Sequence, residues 1–278
     1  MLWQLKLRSF LFLYPKNFIK SSFIMHYMLL DSLESVIKKI PSPQAVMFSG
    51  GLDCGVLSAL SKKYFTPKLY TVGIENSHDL IAGEQGAQEI GLPWTGIVIT
   101  DELILEECCK VLKIVDLSPL ELSYELPLQI LASRIDEENL ISGQGADELF
   151  GGYNRYSEMS ISEAESSSKN DYERLFTNIM LKEDLIASAY CKTLWRPFLN
   201  ERVAEVALSI PMSDKISGGV NKIPLRILAE ELGLKTIASR KKKAAQYGSG
   251  IMKSLKSCSK KNNQTLDEYI SSLKKENI

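Results

Sequence analysis

Apolar residues recur along this chain in two alternating rhythms, and the alternation predicts the fold. Leu29, Leu33, Val36, Ile37 and Ile40 follow helical spacing, so a helix is expected at about 31–40, stopped by Pro41 and Pro43. Ala45-Val46-Met47-Phe48 is a short apolar run ending in Ser49-Gly50-Gly51, which reads as a buried strand feeding a loop. Val56, Leu57 and Leu60 make a helical inner face straight afterwards. Residues 68–74 form a second strand, 79–90 a second helix with Gly91 beyond its end, and 94–99 a third strand. A helix at 102–115 carries Ile104, Cys108, Val111, Leu112 and Val115 on one side, and another runs from about 120 to 135. Leu140-Ile141 is a fourth strand, ending at Ser142-Gly143.

Strands separated by helices predict an α/β fold with a doubly wound parallel sheet, covered on both faces. Ligands of such sheets sit beyond the carboxyl ends of the strands. Two polar, glycine-rich loops leave strand ends here, at 49–54 and 142–152. After about residue 157 the strand signal fades. Residues 160–171 are polar and serine-rich and read as a surface loop. Helical patterns then follow at 175–179, 203–208, 223–232 and 266–273, which makes the C-terminal part all-helical. The basic run 253–261 reads as a solvated helix face rather than a nucleic-acid patch. The expected division is an extension at 1–28, an α/β core at 29–157, and a helical part at 158–278 that completes the same domain.

Composition narrows this picture. The 278 residues are 45% hydrophobic and 24% charged, which excludes disordered, collagen-like and coiled-coil classes. A net charge of -1 gives no reason to expect a polyanionic partner. Five cysteines without a CxxC pair argue against a disulfide framework or a zinc site, and for a reducing compartment. The first thirty residues carry Lys6, Arg8, Lys16 and Lys20 and no acid, with apolar runs at 10–14 and 23–30. The first run is shorter than the roughly 7–15 residues of a signal-peptide core, and neither approaches a membrane span. The segment is read as an upstream extension, with a functional start at Met25 or Met28 and a soluble, cytoplasmic chain. His26 and His78 stand far apart and are not expected to be catalytic. Cys108 and Cys109 lie on an amphipathic helix, where packing is the expected role.

The two loops carry the chemistry. In Ser49-Gly50-Gly51-Leu52-Asp53-Cys54, adjacent glycines let the backbone approach a ligand, and the following helix N-terminus favours an anion. Asp53 would repel a bare phosphate, but the repulsion disappears if Mg²⁺ lies between carboxylate and phosphate oxygens. In Ser142-Gly143-Gln144-Gly145-Ala146-Asp147-Glu148-Leu149-Phe150-Gly151-Gly152-Tyr153, small residues at a strand end precede an acidic pair and a second diglycine. Taken alone, Asp147 and Glu148 also suit the first turn of a helix. Taken together, Asp53 and Asp147 could supply two carboxylates to a Mg²⁺–pyrophosphate.

The first loop resembles the SGGxDS pyrophosphate loop of PP-loop ATP pyrophosphatases. The second is similar to the SGEGxDExFGGY signature of asparagine synthetases and their β-lactam-synthetase relatives. Residues 70–75 (YTVGIE), Pro197-Phe198-Leu199, and Arg240-Lys241-Lys242-Lys243 with 246–250 (QYGSG) resemble later segments of that family more loosely. The resemblance covers about residues 30–260. It implies a PP-loop ATP-binding core, the cofactors ATP and Mg²⁺, and activation of a carboxylate as its acyl-adenylate, which an amine then opens. By the same matching, Asp53 and Asp147 would bind Mg²⁺, while Ser49, Gly50, Gly51 and Cys54 would hold pyrophosphate. Val72, Ser142 and Gly143 would lie by the nucleotide. Lys242, with Lys243 as the alternative register, would stabilise the α-phosphate, and Gln144 and Glu148 would stand at the reacting centre.

Two departures bear on function. None of the candidate start methionines is followed by Cys, so glutamine hydrolysis by the family's N-terminal route is not expected within this chain. Ammonia would come from solution or from a separate glutaminase. Gln144 replaces the Glu of asparagine synthetases and cannot act as a base. The expected activity is an amide-forming ligase with aspartate as default acceptor. The alternatives are another PP-loop adenylating enzyme, acting on RNA or a different carboxylate, and a regulatory nucleotide-binding protein that has lost the chemistry.

Overall fold

The computed structural model describes residues 16–240 and 245–276. Its centre is a five-stranded parallel sheet of β1 (Gln44–Met47), β2 (Lys68–Ile74), β3 (Trp94–Ile99), β4 (Asn139–Ile141) and β5 (Thr193–Trp195), in the order β3-β2-β1-β4-β5. The chain moves outward from β1 through β2 to β3, then returns to the other side of β1 for β4 and β5. Val46 is therefore in register with Leu69 on one side and Ile141 on the other. This reversal opens a crevice at the carboxyl ends of β1 and β4, the switch point where open α/β sheets place their ligands. The loops at 49–54 and 142–152 leave from those two strand ends.

The central strands β1, β2 and β4 are buried on both faces, as in a covered parallel sheet, and the edge strands β3 and β5 are partly exposed. Val46, Leu69 and Ile141 join one core, together with Leu33, Phe48, Leu57, Phe198, Leu228 and Ile237. Their strand neighbours Ala45, Tyr70 and Leu140 join the other, with Ile104, Val111, Leu126, Ile251 and Leu255. The first face is covered by α1 (Lys16–Ile37), α2 (Leu52–Lys62) and α3 (His78–Ile90), and the second by α4 (Asp101–Ile114) and α5 (Pro119–Arg134). Caps explain where these helices begin. Ser77 and Thr100 accept from Leu80 N and Leu103 N, and Ser118 with Glu121 closes a capping box around Pro119. Gly91, at φ +70°, ends α3 in the left-handed region.

Three expectations need correction. The first helix runs from Lys16 to Ile37 instead of about 31 to 40, although Leu29, Leu33 and Ile37 are buried positions as read, and Ile40 is buried in the turn just after it. Met25 packs on the core and His26 bonds Glu231 at 2.7 Å. A fifth strand follows residue 157: β5 pairs with β4 through Leu194 and Leu140. The serine-rich segment is helix α7 (Ile161–Arg174), started by a capping box of Ser160 and Glu163. Its buried Ser168 donates to the carbonyl of Glu148 at 2.6 Å.

The remaining helices are α6 (Ala146–Leu149), α8 (Met180–Ser188), α9 (Glu201–Ser209), α10 (Met212–Lys215), α11 (Ile223–Glu231), α12 (Lys235–Ser239), α13 (Ala245–Gly248), α14 (Ile251–Lys261) and α15 (Leu266–Glu276). α9, α11 and α12 complete the first core, and α14 and α15 the second, so the C-terminal helices wrap both sheet faces. Among the described residues no helix is long and apolar enough to cross a membrane.

Lys215 is 3% exposed, and burial pulls its pKa down to about 8, partly opposed by Glu165. Because the folded value lies below the unfolded one, the unfolded state holds more protons between pH 8 and 10.5, and stability contributed by this group rises with pH there. Lys215→Met is expected to exceed the wild type in urea stability by about 2 kcal/mol at pH 7, and by much less near pH 10.5. A pH-independent difference would contradict the assignment.

Candidate active site

The first loop is shaped by contacts that only glycine permits. Gly50 has φ +71°, and a Cβ there would collide with the carbonyl of Ala82 on α3. Gly51 then caps α2 with extended backbone and no side-chain hydrogen bond, and Asp53 sits in the helix's first turn. Ser49 is exposed, and its hydroxyl lies 3.6 Å from the Cys54 sulfur. Cys54 also donates to Gly51 O at 3.4 Å, and burial pushes its thiol pKa up, so it stays protonated.

The second loop lies directly against the first. A Cβ on Gly143 would stand 3.1 Å from that of Asp53. Gly145, at φ +91°, is overlain by Leu199 of the Pro197-Phe198-Leu199 turn. Ser142 accepts from Gln144 N at 3.2 Å, and Gln144 is half-buried beside it. Asp147 follows in α6. Glu148 is buried and accepts from the Tyr153 hydroxyl at 2.6 Å. Burial first, and then the charge of Asp147, push Glu148 up to about 7. Tyr153 packs edge-on against Tyr156, whose hydroxyl bonds Asp171 of α7, and Arg155 lies over both rings.

The two aspartates meet on one ammonium. Lys222 Nζ lies 2.7 and 2.6 Å from the oxygens of Asp53 and 2.6 Å from Asp147 Oδ1. Its side chain is 6% exposed. Burial works against its charge, but the carboxylates of Asp147 and Asp53 more than offset this and raise its pKa. Around it, the C-terminal helices tie the loops together. Asn221 donates to Gly152 O at 3.2 Å, and Arg226 donates to Asn221 O at 2.7 Å and Arg240 O at 3.1 Å. Arg240 in turn donates to Ala82 O at 3.0 Å and to Gly50 O.

Asp53, Asp147, Ser49, Gly50, Gly51, Cys54, Ser142, Gly143, Gln144 and Glu148 thus fall in one region at the switch point. Val72 is 5% exposed within the second core, on the strand whose end meets the late segment: Ile74 N donates to Ser249 O at 2.9 Å. Lys242 and Lys243 lie outside the described residues. Sequence reasoning missed Lys222, Asn221 and Arg226. A signal existed: Lys222 immediately precedes a helix, where the dipole disfavours a cation, so the position demands an anionic neighbour.

The donor set suits Mg²⁺. Two hard carboxylates that already share one cation match an ion bound through one or two carboxylates and substrate phosphates. Among the described residues no cluster of three or more His, Cys, Asp or Glu could hold a metal ion.

A family model described as asparagine synthase matches residues 40–195 and 162–274. The chain belongs to the asparagine synthase family. A Methanocaldococcus jannaschii protein named "Putative asparagine synthetase (glutamine-hydrolyzing) 1" is 32% identical over 87% of this chain and 53% of its own length. The Drosophila melanogaster asparagine synthetase domain-containing protein CG17486 is 26% identical over 82% of the chain and 51% of its own. The human asparagine synthetase (glutamine-hydrolyzing) is 28% identical over 73% and 39%. The chain spans about half the length, or less, of these curated relatives. Membership in this PP-loop family is consistent with an ATP-dependent amide-forming ligase.

Gly50 and Gly219 both have positive φ, but a Cβ on Gly219 meets nothing within 4 Å. Gly50→Ala is therefore expected to destabilise the protein by at least about 1 kcal/mol more than Gly219→Ala, which carries only the left-handed backbone penalty. Equal melting shifts for the two variants would contradict the packing described for the first loop.

Proposed function

We propose that this asparagine synthase family member activates a carboxylate, by default that of aspartate, and converts it to an amide. The carboxylate oxygen attacks the α-phosphorus of ATP, pyrophosphate leaves, and ammonia displaces AMP from the acyl-adenylate. The nitrogen comes from ammonia in solution or from a separate glutaminase. The observation that carries the reading is the meeting of Asp53 and Asp147 on one buried cation at the switch point.

Adenylation concentrates negative charge at the phosphates, so the site's task is to neutralise and orient it. When bound, Mg²⁺ would neutralise charge on the departing pyrophosphate. Asp53 and Asp147 would hold that ion, and the backbone of Ser49, Gly50 and Gly51 would receive the pyrophosphate at the start of α2. Cys54 is a weak donor beside it. Ser142 and Gly143 border the nucleotide, and Val72 contributes the strand beneath the adenine side. Lys242, or Lys243 in the alternative register, meets the α-phosphate. Glu148, anchored by Tyr153, fixes the loop that bears Asp147. Gln144 can orient the attacking nitrogen by hydrogen bonds but cannot take its proton, which leaves to water or to the departing AMP.

The test incubates the protein with ATP, Mg²⁺, ammonium and each amino-acid carboxylate in turn, following AMP and pyrophosphate. Aspartate-dependent AMP is the expected result; ADP and inorganic phosphate would overturn the mechanistic class. Asp147→Asn should lower pyrophosphate release at least about 100-fold with the melting profile retained. Gln144→Glu should raise ammonia-dependent product formation, and an unchanged rate would show that a proton acceptor is not what this loop lacks.

A further inference from the structure

Lys222 occupies the place a metal ion would take between the two loops. Lys222 Nζ donates to both oxygens of Asp53 at 2.7 and 2.6 Å, and it forms an ion pair with Asp147 Oδ1 at 2.6 Å. The ammonium is the buried member of the cluster, at 6% exposure, while each aspartate side chain is 26% exposed. The surroundings force this arrangement. Lys222 has φ +56°, a left-handed conformation unfavourable for a residue with a Cβ, and it stands at the N-terminus of α11, where a positive charge opposes the helix dipole. A Cβ on Gly152 would strike both Lys222 Cε and Asp147 Oδ1, so the missing side chain leaves room for this contact. Two local costs at one residue are held in place by packing, and the result is an ammonium set against three of the four carboxylate oxygens of Asp53 and Asp147.

We propose that Lys222 is a built-in counter-ion that closes the carboxylate pair to a free divalent cation, so that metal enters only together with a polyphosphate. The proposal rests on the reading of Asp53 and Asp147 as the Mg²⁺ residues and adds an order of events to it. A divalent ion on the same oxygens would repel the ammonium at contact range. A polyphosphate brings fresh acceptor oxygens. Lys222 can then release the aspartates to the metal and pair with the phosphate, and its charge is spent on the ligand only once nucleotide is present. Lys222 is in this sense a positioning residue for the aspartates before binding.

The probe is Mn²⁺, titrated by the loss of its free electron-spin-resonance signal in the absence of nucleotide. Lys222→Met is expected to bind one Mn²⁺ about tenfold or more tighter than the wild type, a coupling within the usual range between linked sites. The gain should vanish in the Lys222→Met, Asp147→Asn double variant. A merely structural lysine would leave Mn²⁺ affinity unchanged or lower it on removal, and either result overturns the proposal. Lys222→Gln serves if the methionine variant does not fold. Wild-type melting supplies a second measurement: Mn²⁺ alone should leave the melting temperature unmoved, and Mn²⁺ with inorganic pyrophosphate should raise it beyond pyrophosphate alone. A rise with Mn²⁺ alone equal to that with both would overturn the proposal. Carboxylate-dependent ATP–pyrophosphate exchange by the wild type reports on the adenylation reading separately, so exchange without the Mn²⁺ effect removes only the counter-ion role.

Discussion

Two ionised carboxylates brought together from distant parts of the chain repel one another unless a cation or a shared proton lies between them. Each ion taken from water carries a desolvation cost of several kcal/mol that only close pairing offsets. Lys222 provides that pairing for Asp53 and Asp147, and much of the surrounding structure follows from it. Gly152 has no side chain because Lys222 and Asp147 fill its space. Asn221 and Arg226 flank the lysine and reach the backbone of the second loop and of Arg240. Arg240 closes the circuit on Gly50. A buried ionic cluster of this kind is weak evidence for stability, since apolar replacements are often as stable. Its presence at a switch point is better explained by what the carboxylates bind.

The sheet order makes this convergence possible. β1 and β4 are adjacent although more than ninety residues separate their register partners Val46 and Ile141. Their following loops therefore open side by side. The C-terminal helices then act as struts: α11 brings Lys222 beneath the loops, and α7 supports the second loop through Ser168 and Asp171. Packing and site geometry are consequently one problem, because the helices that fill the cores also fix the distances among charged groups.

Much of this was legible in the residues. The apolar runs of β1 to β4 and the periodic faces of α4 and α5 read directly, because parallel strands and amphipathic helices leave strong patterns. The two glycine-rich loops announced the crevice and the family. What stayed hidden had physical reasons. β5 is three residues long, too short for any periodicity, and gains its stability from pairing with β4. α7 is so polar that composition concealed its Ser160–Glu163 cap. Lys222 belongs to no apolar pattern, and its partners lie 169 residues away at Asp53 and across a separate loop at Asp147. Only the tertiary fold reveals such a contact, although a lysine at a helix start was a clue.

The most direct measurement is a crystal structure of the protein with Mg²⁺ and an ATP analogue that resists cleavage between its α- and β-phosphates. The polyphosphate is expected between the loops at 49–54 and 142–152, with the metal on Asp53 and Asp147 and the α-phosphorus open to an incoming carboxylate. Nucleotide bound elsewhere, or metal held without either aspartate, would contradict it.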